Sequence, residues 1–270
     1  MESVKIVFDI GGTKTRIAAV EEDTALRDIT IFETDHDPEV GVQNIISTIH
    51  KIVGDFPIAA ICGGSKGAID NGVIKRVNHI TRWAGTPLRE ILEHEFETKV
   101  YLMNDVELIG IGEYYYGAGK GIHDMMYLTV STGVGGSHIV DGRIDKGKYN
   151  AEPGHQMVDS AELESLISGP AVEKKYGKPP KEIDDITIRN ELAEILARGL
   201  YDNVLHWSPE VIVLGGSMIV GKNPIPIEHT QKTLDALVLK YHPEAPKIKK
   251  AELGDHGGLY GGMAYLNYSV

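Results

Sequence analysis

Cysteine is almost absent from this sequence, because Cys62 is the one thiol among 270 residues. A single thiol cannot form a disulfide framework or a multi-thiolate zinc site within one chain, and it suits a reducing cytoplasm. Long apolar runs are absent too, and none approaches the ~18 residues that span a bilayer. The first residues also lack the basic and apolar segments of a signal peptide. We therefore expect a cytoplasmic protein without a membrane partner.

Basic residues are in short supply as well. The chain has 27 Lys and Arg against 39 Asp and Glu, which gives a formal net charge of −12. This balance argues against a nucleic-acid partner, which needs a basic face. It leaves a phosphate ligand open, because backbone N–H groups can hold one locally. Apolar residues make up 42% of the chain, as in globular proteins, and the length allows one large domain or two lobes.

A strand followed by a glycine turn opens both halves of the sequence. Residues 4–10, 15–23 and 26–34 read as three strands in close succession, which predicts an antiparallel meander. The pattern restarts after residue 121 with a strand at 125–130, the turn STGVGG and a second strand. We interpret this as a weak internal duplication, with a lobe boundary near 107–121.

Helical spacing of apolar residues predicts the remaining large elements. Further strands are expected at 57–64, 99–105 and 211–217, and helices near 42–53, 88–96, 105–116, 188–200 and 251–266.

Two glycine turns are candidate phosphate cradles. DIGGTKTR, residues 9–16, could present backbone N–H groups, Thr13 and Lys14 to an anion, while Asp9 could hold a water-shelled Mg²⁺. A plain hairpin turn explains the same residues about equally well. STGVGGS, residues 131–137, matches neither a Walker A loop nor a dinucleotide fingerprint, and an ordinary hairpin is again the alternative.

Two acidic segments could supply chemistry. Asn104-Asp105 closes a predicted strand ahead of a predicted helix. Asp105 could therefore be a general base or the N-cap of the helix. The N-cap is the commoner role and the one that we favour from these residues alone. Glu152 and His155 stand on either side of Pro153-Gly154 in a predicted loop and could bond ligand hydroxyls, or be incidental surface residues. GGS, residues 215–217, could let a nucleotide approach the backbone or could be an ordinary turn.

Taken together, these motifs resemble the ROK family of sugar kinases and repressors, within the actin-like ATPase superfamily. Each motif is weak alone, but their order along nearly the whole chain is specific. The segments that carry the resemblance are DIGGTKTR, GGSKGAID with VNHITRW, LMNDVELIGIGE, LTVSTGVGGSHIVDGRI, AEPGH, ELESLISGPAV, VIVLGGS and GGLYGGMAYL.

The resemblance implies an α/β fold of two RNase H-like lobes with a central cleft. The N-terminal lobe would cover 1–107, joined by the C-terminal helix 257–270, and the C-terminal lobe would cover 108–256. The resemblance also implies phosphorylation of a hexose hydroxyl that depends on Mg²⁺ and ATP. The first choice of acceptor, on family frequency, is C6 of glucose, and Asp105 would be the general base. Sugar contacts are expected from Asn78, Asn104, Asp105, Glu152, His155 and Glu164. ATP and phosphate contacts are expected from Gly11, Gly12, Thr13, Lys14, Thr132, Gly133, Gly135, Gly215 and Gly216, with Asp9 holding Mg²⁺ through water.

The sequence departs from the family pattern in three places. The cysteine-rich zinc motif that commonly follows the Glu-x-Gly-His segment is replaced by QMVDSAELES, so we expect no zinc and a sugar role for His155. The usual Gly-x-Pro-Gly turn reads GSKG, where Lys66 could bind an anionic substrate group or face solvent, and we favour solvent. No DNA-binding helix-turn-helix precedes the first strand, which argues against the repressor branch.

Several alternatives stay open at this point. The shortened zinc loop motivates a non-catalytic sugar-binding or regulatory protein, and an actin-like ATPase acting on proteins would leave Glu152 and His155 unexplained. Fructose, mannose, allose or an N-acetylhexosamine could replace glucose, and polyphosphate could replace ATP. The resemblance also suggests a homodimer.

Overall fold

The computed structural model describes residues 3–76, 80–148 and 150–270. The chain divides into two compact units, one formed by Met1–Gly112 with Asp255–Val270 and the other by Glu113–Gly254. In these described ranges no helix has the length and apolar character needed to cross a membrane.

The first unit is a mixed sheet with helices packed on it. Its elements up to the boundary are β1 (Val4–Ile10), β2 (Lys14–Glu21), β3 (Ala25–Glu33), α1 (Pro38–Val53), β4 (Ile58–Ser65), β5 (Ala68–Asp70), β6 (Val73–Arg76), α2 (Leu88–Phe96), β7 (Val100–Asn104) and α3 (Asp105–Tyr116). The strands are ordered β3-β2-β1-β4-β7, with β1, β2 and β3 antiparallel and β1, β4 and β7 parallel. The predicted antiparallel meander is therefore confirmed.

The second unit repeats this arrangement. Its elements are β8 (Asp124–Val130), β9 (Val134–Val140), β10 (Arg143–Ile144), β11 (Met157–Val158), β12 (Ala161–Glu162), α4 (Leu163–Ile167), α5 (Gly169–Tyr176), α6 (Ile186–Trp207), β13 (Val211–Gly215), α7 (Ser217–Val220), α8 (Ile227–Val238) and β14 (Lys247–Lys250). The sheet is ordered β10-β9-β8-β13-β14, again with three antiparallel strands followed by parallel ones. The shared order supports the internal duplication inferred from the sequence.

Helix α1 shows why the sequence folds as it does in the first unit. Asp37 caps the helix by accepting the N–H of Glu39 at 3.0 Å, and Pro38 occupies the first turn, where its missing N–H costs nothing. Its buried face, at the spacing of a 3.6-residue period, consists of Val42, Ile45, Ile46, Ile49 and Val53. This face packs into the same apolar core as Phe8 of β1.

Helix α6 plays the corresponding part in the second unit. Asp185 caps it by accepting the N–H of Thr187 at 2.8 Å. Its buried face includes Leu192, Leu196 and Leu200, which lie in one apolar cluster with β13 and α8. Each unit therefore has a core of its own.

The last helix of the chain, α9 (Gly257–Tyr268), belongs to the first unit and packs against β1 and β4. It passes so close to α3 that a Cβ on Gly261 would overlap the carbonyl oxygen of Leu108. A Cβ on Gly112 would likewise lie 2.7 Å from the carbonyl oxygen of Gly257. Glycine at these positions is what lets the two helix backbones approach each other.

A buried carboxylate joins the two ends of the second unit. Glu113, near the end of α3, is 1% exposed, and one of its carboxylate oxygens accepts the N–H of Ala118 at 3.0 Å. The other oxygen accepts the N–H groups of Glu252 at 3.0 Å and Leu253 at 2.9 Å. Hydrogen bonds from backbone N–H groups offset the cost of burying this charge.

Candidate active site

Three parallel strands of the first unit end at the same edge of the sheet. In the sheet register Asp9 of β1 pairs with Gly64 of β4, and Ser65 pairs with Asn104 of β7. The carboxyl ends of parallel strands form the edge where ligands bind in open α/β sheets. Asp9, the residues after Ser65, and Asn104-Asp105 are thereby brought to one place.

Asp9 is a buried carboxylate with an unusual proton affinity. Asp9 is 8% exposed. Burial, together with the negative charge of Asp105, raises the pKa of Asp9 to about 7. Arg16, opposite Asp9 in β2, opposes this rise, with its guanidinium 3.9 Å from the carboxylate. Gly258 of α9 lies against the same carboxylate, since a Cβ there would be 2.7 Å from the carboxyl carbon of Asp9.

The first turn of α3 is capped by Asn104. The cap favoured for Asp105 belongs to Asn104, whose side-chain oxygen accepts the N–H groups of Val106 at 2.9 Å and Glu107 at 3.3 Å. Asp105 is the first residue of α3 and also accepts the Val106 N–H, at 3.0 Å. Burial raises the pKa of Asp105, and the charge of Lys66 opposes that rise. Since Asn104 performs the capping, the Asp105 carboxylate is not needed for it.

Lys66 corrects an expectation from the sequence. We favoured a solvent-facing side chain, but the residue is half-buried and its positive charge acts on both Asp9 and Asp105. The reason is local, because the N–H of Lys66 donates to the carbonyl of Ile10 at 3.1 Å and continues the pairing of β4 with β1.

The edge of the first sheet fits a magnesium ion held mainly through water and phosphate. Mg²⁺ prefers oxygen ligands and usually takes one or two carboxylates, completing its shell with water and substrate. Asp9 offers such a carboxylate, and a nearby cation would favour its ionised form over the protonated one. Within the described ranges no group of three or more Asp, Glu, His or Cys side chains is arranged to enclose a metal.

The first glycine turn is a hairpin whose tip faces solvent. The N–H of Gly11 donates to the carbonyl of Lys14 at 3.0 Å, and the carbonyl of Thr13 accepts the N–H of Thr34 at 2.9 Å. Thr13 and Lys14 are exposed, while Gly11 and Gly12 are half-buried. The hairpin interpretation is thus confirmed, and it leaves Thr13 and Lys14 accessible to an anion.

The second glycine turn contacts a carboxylate. The turn is closed by the N–H of Ser131, which donates to the carbonyl of Gly133 at 2.8 Å. Glu164 of α4 accepts the N–H of Val134 at 2.7 Å, and the same oxygen would lie 2.7 Å from a Cβ on Gly133. The residue that the resemblance assigns to the sugar therefore lies on the proposed phosphate turn in this structure.

The GGS segment lies beside this second turn. Gly216 has a φ of +85°, which favours glycine, and a Cβ there would overlap the carbonyl oxygen of Val130. The hydroxyl oxygens of Ser217 and Ser131 are 3.2 Å apart. The ends of the neighbouring strands β8 and β13 thus bring the second glycine turn and the GGS segment to one edge of the sheet.

The predicted loop at Glu152–His155 packs on the same turn. It forms a short 3₁₀ turn over Pro153–His155, and a Cβ on Gly154 would overlap the carbonyl oxygen of Val134. The ring Nδ1 of His155 lies 3.0 Å from a carboxylate oxygen of Glu162, and this hydrogen bond raises the pKa of His155. The charges of Glu152 and Glu164 raise it further, so both carboxylates lie within electrostatic reach of His155.

The candidate residues fall into two groups, one in each unit. The first unit holds Asp9, Gly11, Gly12, Thr13, Lys14, Asn104 and Asp105, and the second holds Thr132, Gly133, Gly135, Glu152, His155, Glu164, Gly215 and Gly216. Asn78 lies outside the described residues.

Four neighbours of these groups were missed from the sequence. They are Arg16, Asp255 and Gly258 around Asp9, and Glu162 beside His155. Arg16 could have been found, because a hairpin turn closed by Gly11 and Lys14 places it opposite Asp9. Asp255 and Gly258 depend on contacts with a distant segment, and Glu162 meets His155 across the short hairpin of β11 and β12.

Comparison with known proteins assigns the chain to a family. The model of the ROK family matches residues 5–268. A putative fructokinase from Bacillus subtilis is 29% identical over 236 residues, covering 80% of this chain and 77% of that protein. The ROK hexokinase from Thermus thermophilus superposes with a TM-score of 0.85 at 25% identity, covering 98% of this chain and 99% of that one.

A second solved structure extends the likeness in fold. A ROK family glucokinase from Streptomyces griseus, in complex with glucose and AMPPNP, superposes with a TM-score of 0.79 at 22% identity, covering 98% of this chain and 99% of that one. The α/β fold expected from the sequence motifs is confirmed by these likenesses.

Proposed function

The chain belongs to the ROK family, and we propose that it is an ATP-dependent sugar kinase that phosphorylates a hexose hydroxyl, with C6 of glucose as the acceptor and Asp105 as general base. The observation that carries the proposal is Asp105 itself. Its carboxylate is at the ligand-binding edge of the sheet, its pKa is raised by burial, and Asn104 has taken over the cap.

Asp105 has the properties that a general base needs. A base works best when its pKa lies near the operating pH, and burial moves that of a carboxylate in this direction. Phosphoryl transfer otherwise requires positioning and charge neutralisation more than covalent chemistry. In the proposed reaction Asp105 accepts the proton of the sugar hydroxyl as its oxygen attacks the terminal phosphorus of ATP.

The sugar is proposed to bind through hydroxyl-bonding side chains. Carboxylates accept hydrogen bonds from adjacent hydroxyls, and imidazole adds a further polar contact. The loop that carries Glu152 and His155 is fixed by its packing on β9, which supports a role in positioning. The proposed contacts are Asn78, Asn104, Asp105, Glu152, His155 and Glu164.

ATP is proposed to bind at the glycine turns. The accessible Thr13 and Lys14 of the first turn and the N–H groups around Thr132 to Gly135 would hold phosphates. Gly215 and Gly216, which adjoin the second turn, would lie against the nucleoside. Asp9 would hold Mg²⁺ through water, and the bound ion would neutralise phosphate charge. The AMPPNP in the related glucokinase structure supports ATP as the donor.

One observation favours a second candidate, a non-catalytic sugar-binding protein. The N–H of Val134 is already bonded to Glu164, so a phosphate at this turn would meet a carboxylate. Such a protein would bind a sugar without phosphorylating it.

A coupled ADP-release assay separates the two candidates. Mg-ATP would be tested with glucose, mannose, fructose, allose, N-acetylglucosamine and N-acetylmannosamine. A parallel arm would supply polyphosphate in place of ATP and would measure the sugar phosphate directly, because no ADP is released from that donor. We expect sugar-dependent ADP release, strongest with glucose, and its loss in Asp105→Asn but not in Asp70→Asn, a change at an exposed carboxylate of the same unit. Sugar binding by calorimetry without turnover on any sugar or donor would refute the kinase and support the binding protein.

A further inference from the structure

The ring of His155 is held at one of its two nitrogens. Its Nδ1 lies 3.0 Å from a carboxylate oxygen of Glu162. An ionised carboxylate only accepts hydrogen bonds, so Nδ1 carries a proton and donates in this contact. The two nitrogens lie on different edges of the ring, so Nε2 points away from Glu162. Because 55% of the His155 side chain is exposed, the rest of the ring is accessible to a ligand.

The backbone that carries the ring is fixed by the second glycine turn. His155 ends the 3₁₀ turn that begins at Pro153, and its N–H donates to the carbonyl of Glu152 at 3.0 Å. The residue before it, Gly154, packs on β9 so closely that a Cβ there would overlap the carbonyl oxygen of Val134. The ring therefore extends from a backbone position with little freedom.

The backbone that carries the carboxylate is fixed as well. Glu162 ends β12, where it pairs with Met157 of β11, and its carbonyl accepts the hydroxyl of Ser165 in α4 at 2.7 Å. The tip of this hairpin, Asp159-Ser160, has a positive φ at both residues, as a tight two-residue hairpin turn requires. The Asp159 carboxylate lies 2.8 Å from the guanidinium of Arg198 on α6. The hairpin is thus anchored at its tip and at its base.

We propose that Glu162 is a positioning residue for sugar binding, which accepts a hydrogen bond from Nδ1 of His155 and so fixes the orientation of the ring, with Nε2 as the nitrogen that meets a sugar hydroxyl. The inference rests on the proposed kinase function, in which His155 contacts the sugar. It names the side chain that determines how this contact is made.

A histidine ring without such a partner is undefined in two respects. The ring can rotate about its side-chain bonds, and its neutral form can carry the one proton on either nitrogen. In free histidine this proton rests mainly on Nε2. A carboxylate fixed beside Nδ1 favours a proton on Nδ1 and one orientation of the ring. Ordering the side chain before the ligand arrives lowers the cost of ordering it on binding.

The first test measures glucose affinity by calorimetry and turnover by ADP release. Glu162→Ala should weaken glucose binding by about 2–10-fold, the usual cost of immobilising one side chain. KM should rise by the same factor while kcat stays within about twofold, because Asp105 is untouched. Glu162→Gln keeps an oxygen that can accept the Nδ1 proton, so it should restore most of the affinity. Glu173→Ala, at an exposed carboxylate of the same unit, should match wild type.

Two results of this test would overturn the inference. Glu162→Ala could bind glucose as tightly as wild type, which would show that the ring needs no partner. Glu162→Gln could lose as much affinity as Glu162→Ala, which would show that the charge of Glu162 acts on the sugar and not its hydrogen bond to the ring. Thermal unfolding of each variant checks that the fold is retained.

A second test needs neither a sugar nor kinase activity. The ring nitrogens of ¹⁵N-labelled wild-type protein would be observed by NMR, with His155 assigned from the signals lost in His155→Gln. Above the raised pKa of His155, where the ring is neutral, the proton should rest on Nδ1 in wild type and mainly on Nε2 in Glu162→Ala. A wild-type ring with its proton on Nε2 would overturn the inference. A wild type that binds no sugar would refute the proposed function, while these spectra would still show whether Glu162 holds the ring.

Discussion

Replacing Asp9 by asparagine should stabilise the protein at neutral and alkaline pH. Burial and the charge of Asp105 raise the pKa of Asp9 from its ordinary value of 3.8 to about 7. Below pH 4 the carboxyl is protonated in the folded and the unfolded chain, so it has no effect on stability. Between pH 4 and 7 it ionises in the unfolded chain but not in the folded one, so stability falls as pH rises.

The size of this effect follows from the same two pKa values. At about 1.4 kcal/mol for each pH unit, the rise corresponds to about 4 kcal/mol of lost stability above pH 7. Asparagine has the shape of aspartate without its charge, so Asp9→Asn should recover most of this energy. The recovery is reduced by the loss of attraction to Arg16, whose guanidinium also has Asp255 as a partner.

Urea denaturation at several pH values between 4 and 8 would measure the effect. The free energy of unfolding of wild type should fall across this window relative to that of Asp9→Asn, and Asp70→Asn, at an exposed carboxylate, should follow wild type. Added Mg²⁺ should stabilise wild type above pH 7 more than Asp9→Asn, because a cation favours the ionised form. Parallel curves for wild type and Asp9→Asn over the whole window would refute the reasoning.

Three further substitutions test the site and its support. Asp105→Asn should lower kcat by about 10²–10⁴-fold with sugar binding retained, and near-normal turnover would exclude a general base. Glu164→Gln should tighten Mg-AMPPNP binding several-fold, because it removes a negative charge from the turn at Val134, and it should weaken glucose binding. Calorimetry would measure both affinities, and an unchanged nucleotide affinity would exclude a phosphate at this turn. Gly261→Ala should cost about 1–3 kcal/mol in urea denaturation, because the added methyl meets the Leu108 carbonyl, whereas Ser269→Ala should cost less than about 0.5 kcal/mol.

Much of the fold follows from patterns that the sequence shows directly. Apolar runs ending in glycine predicted β1, β4, β8 and β13, and helical spacing predicted α1 and α6. These patterns are local, because each can be recognised from the residues of one short segment. The meeting of Asp9 with Asn104-Asp105 was not predicted, because it depends on the parallel order of β1, β4 and β7, whose carboxyl ends form one edge of the sheet.

Other parts of the candidate site could not be read from local patterns. The cap was assigned one residue too late, because Asn104 and Asp105 are both good capping residues and only the backbone geometry distinguishes them. Lys66 was expected in solvent, since the turn GSKG shows no periodicity that would place it. Glu164 reaches Val134 across 30 residues of sequence, and no spacing rule predicts such a contact.

The carboxylate of Glu113 has a consequence for how this chain can be rearranged. It bonds the N–H groups of Glu252 and Leu253, which are 139 and 140 residues further along, so the segment between them begins and ends at one point. A segment with adjacent ends can be inserted into a host chain with little added loop-closure entropy, because the host gains no long unstructured connection. The second unit therefore has the form of an inserted module, and Glu113 is the residue that would have to accompany it in a transfer to another protein.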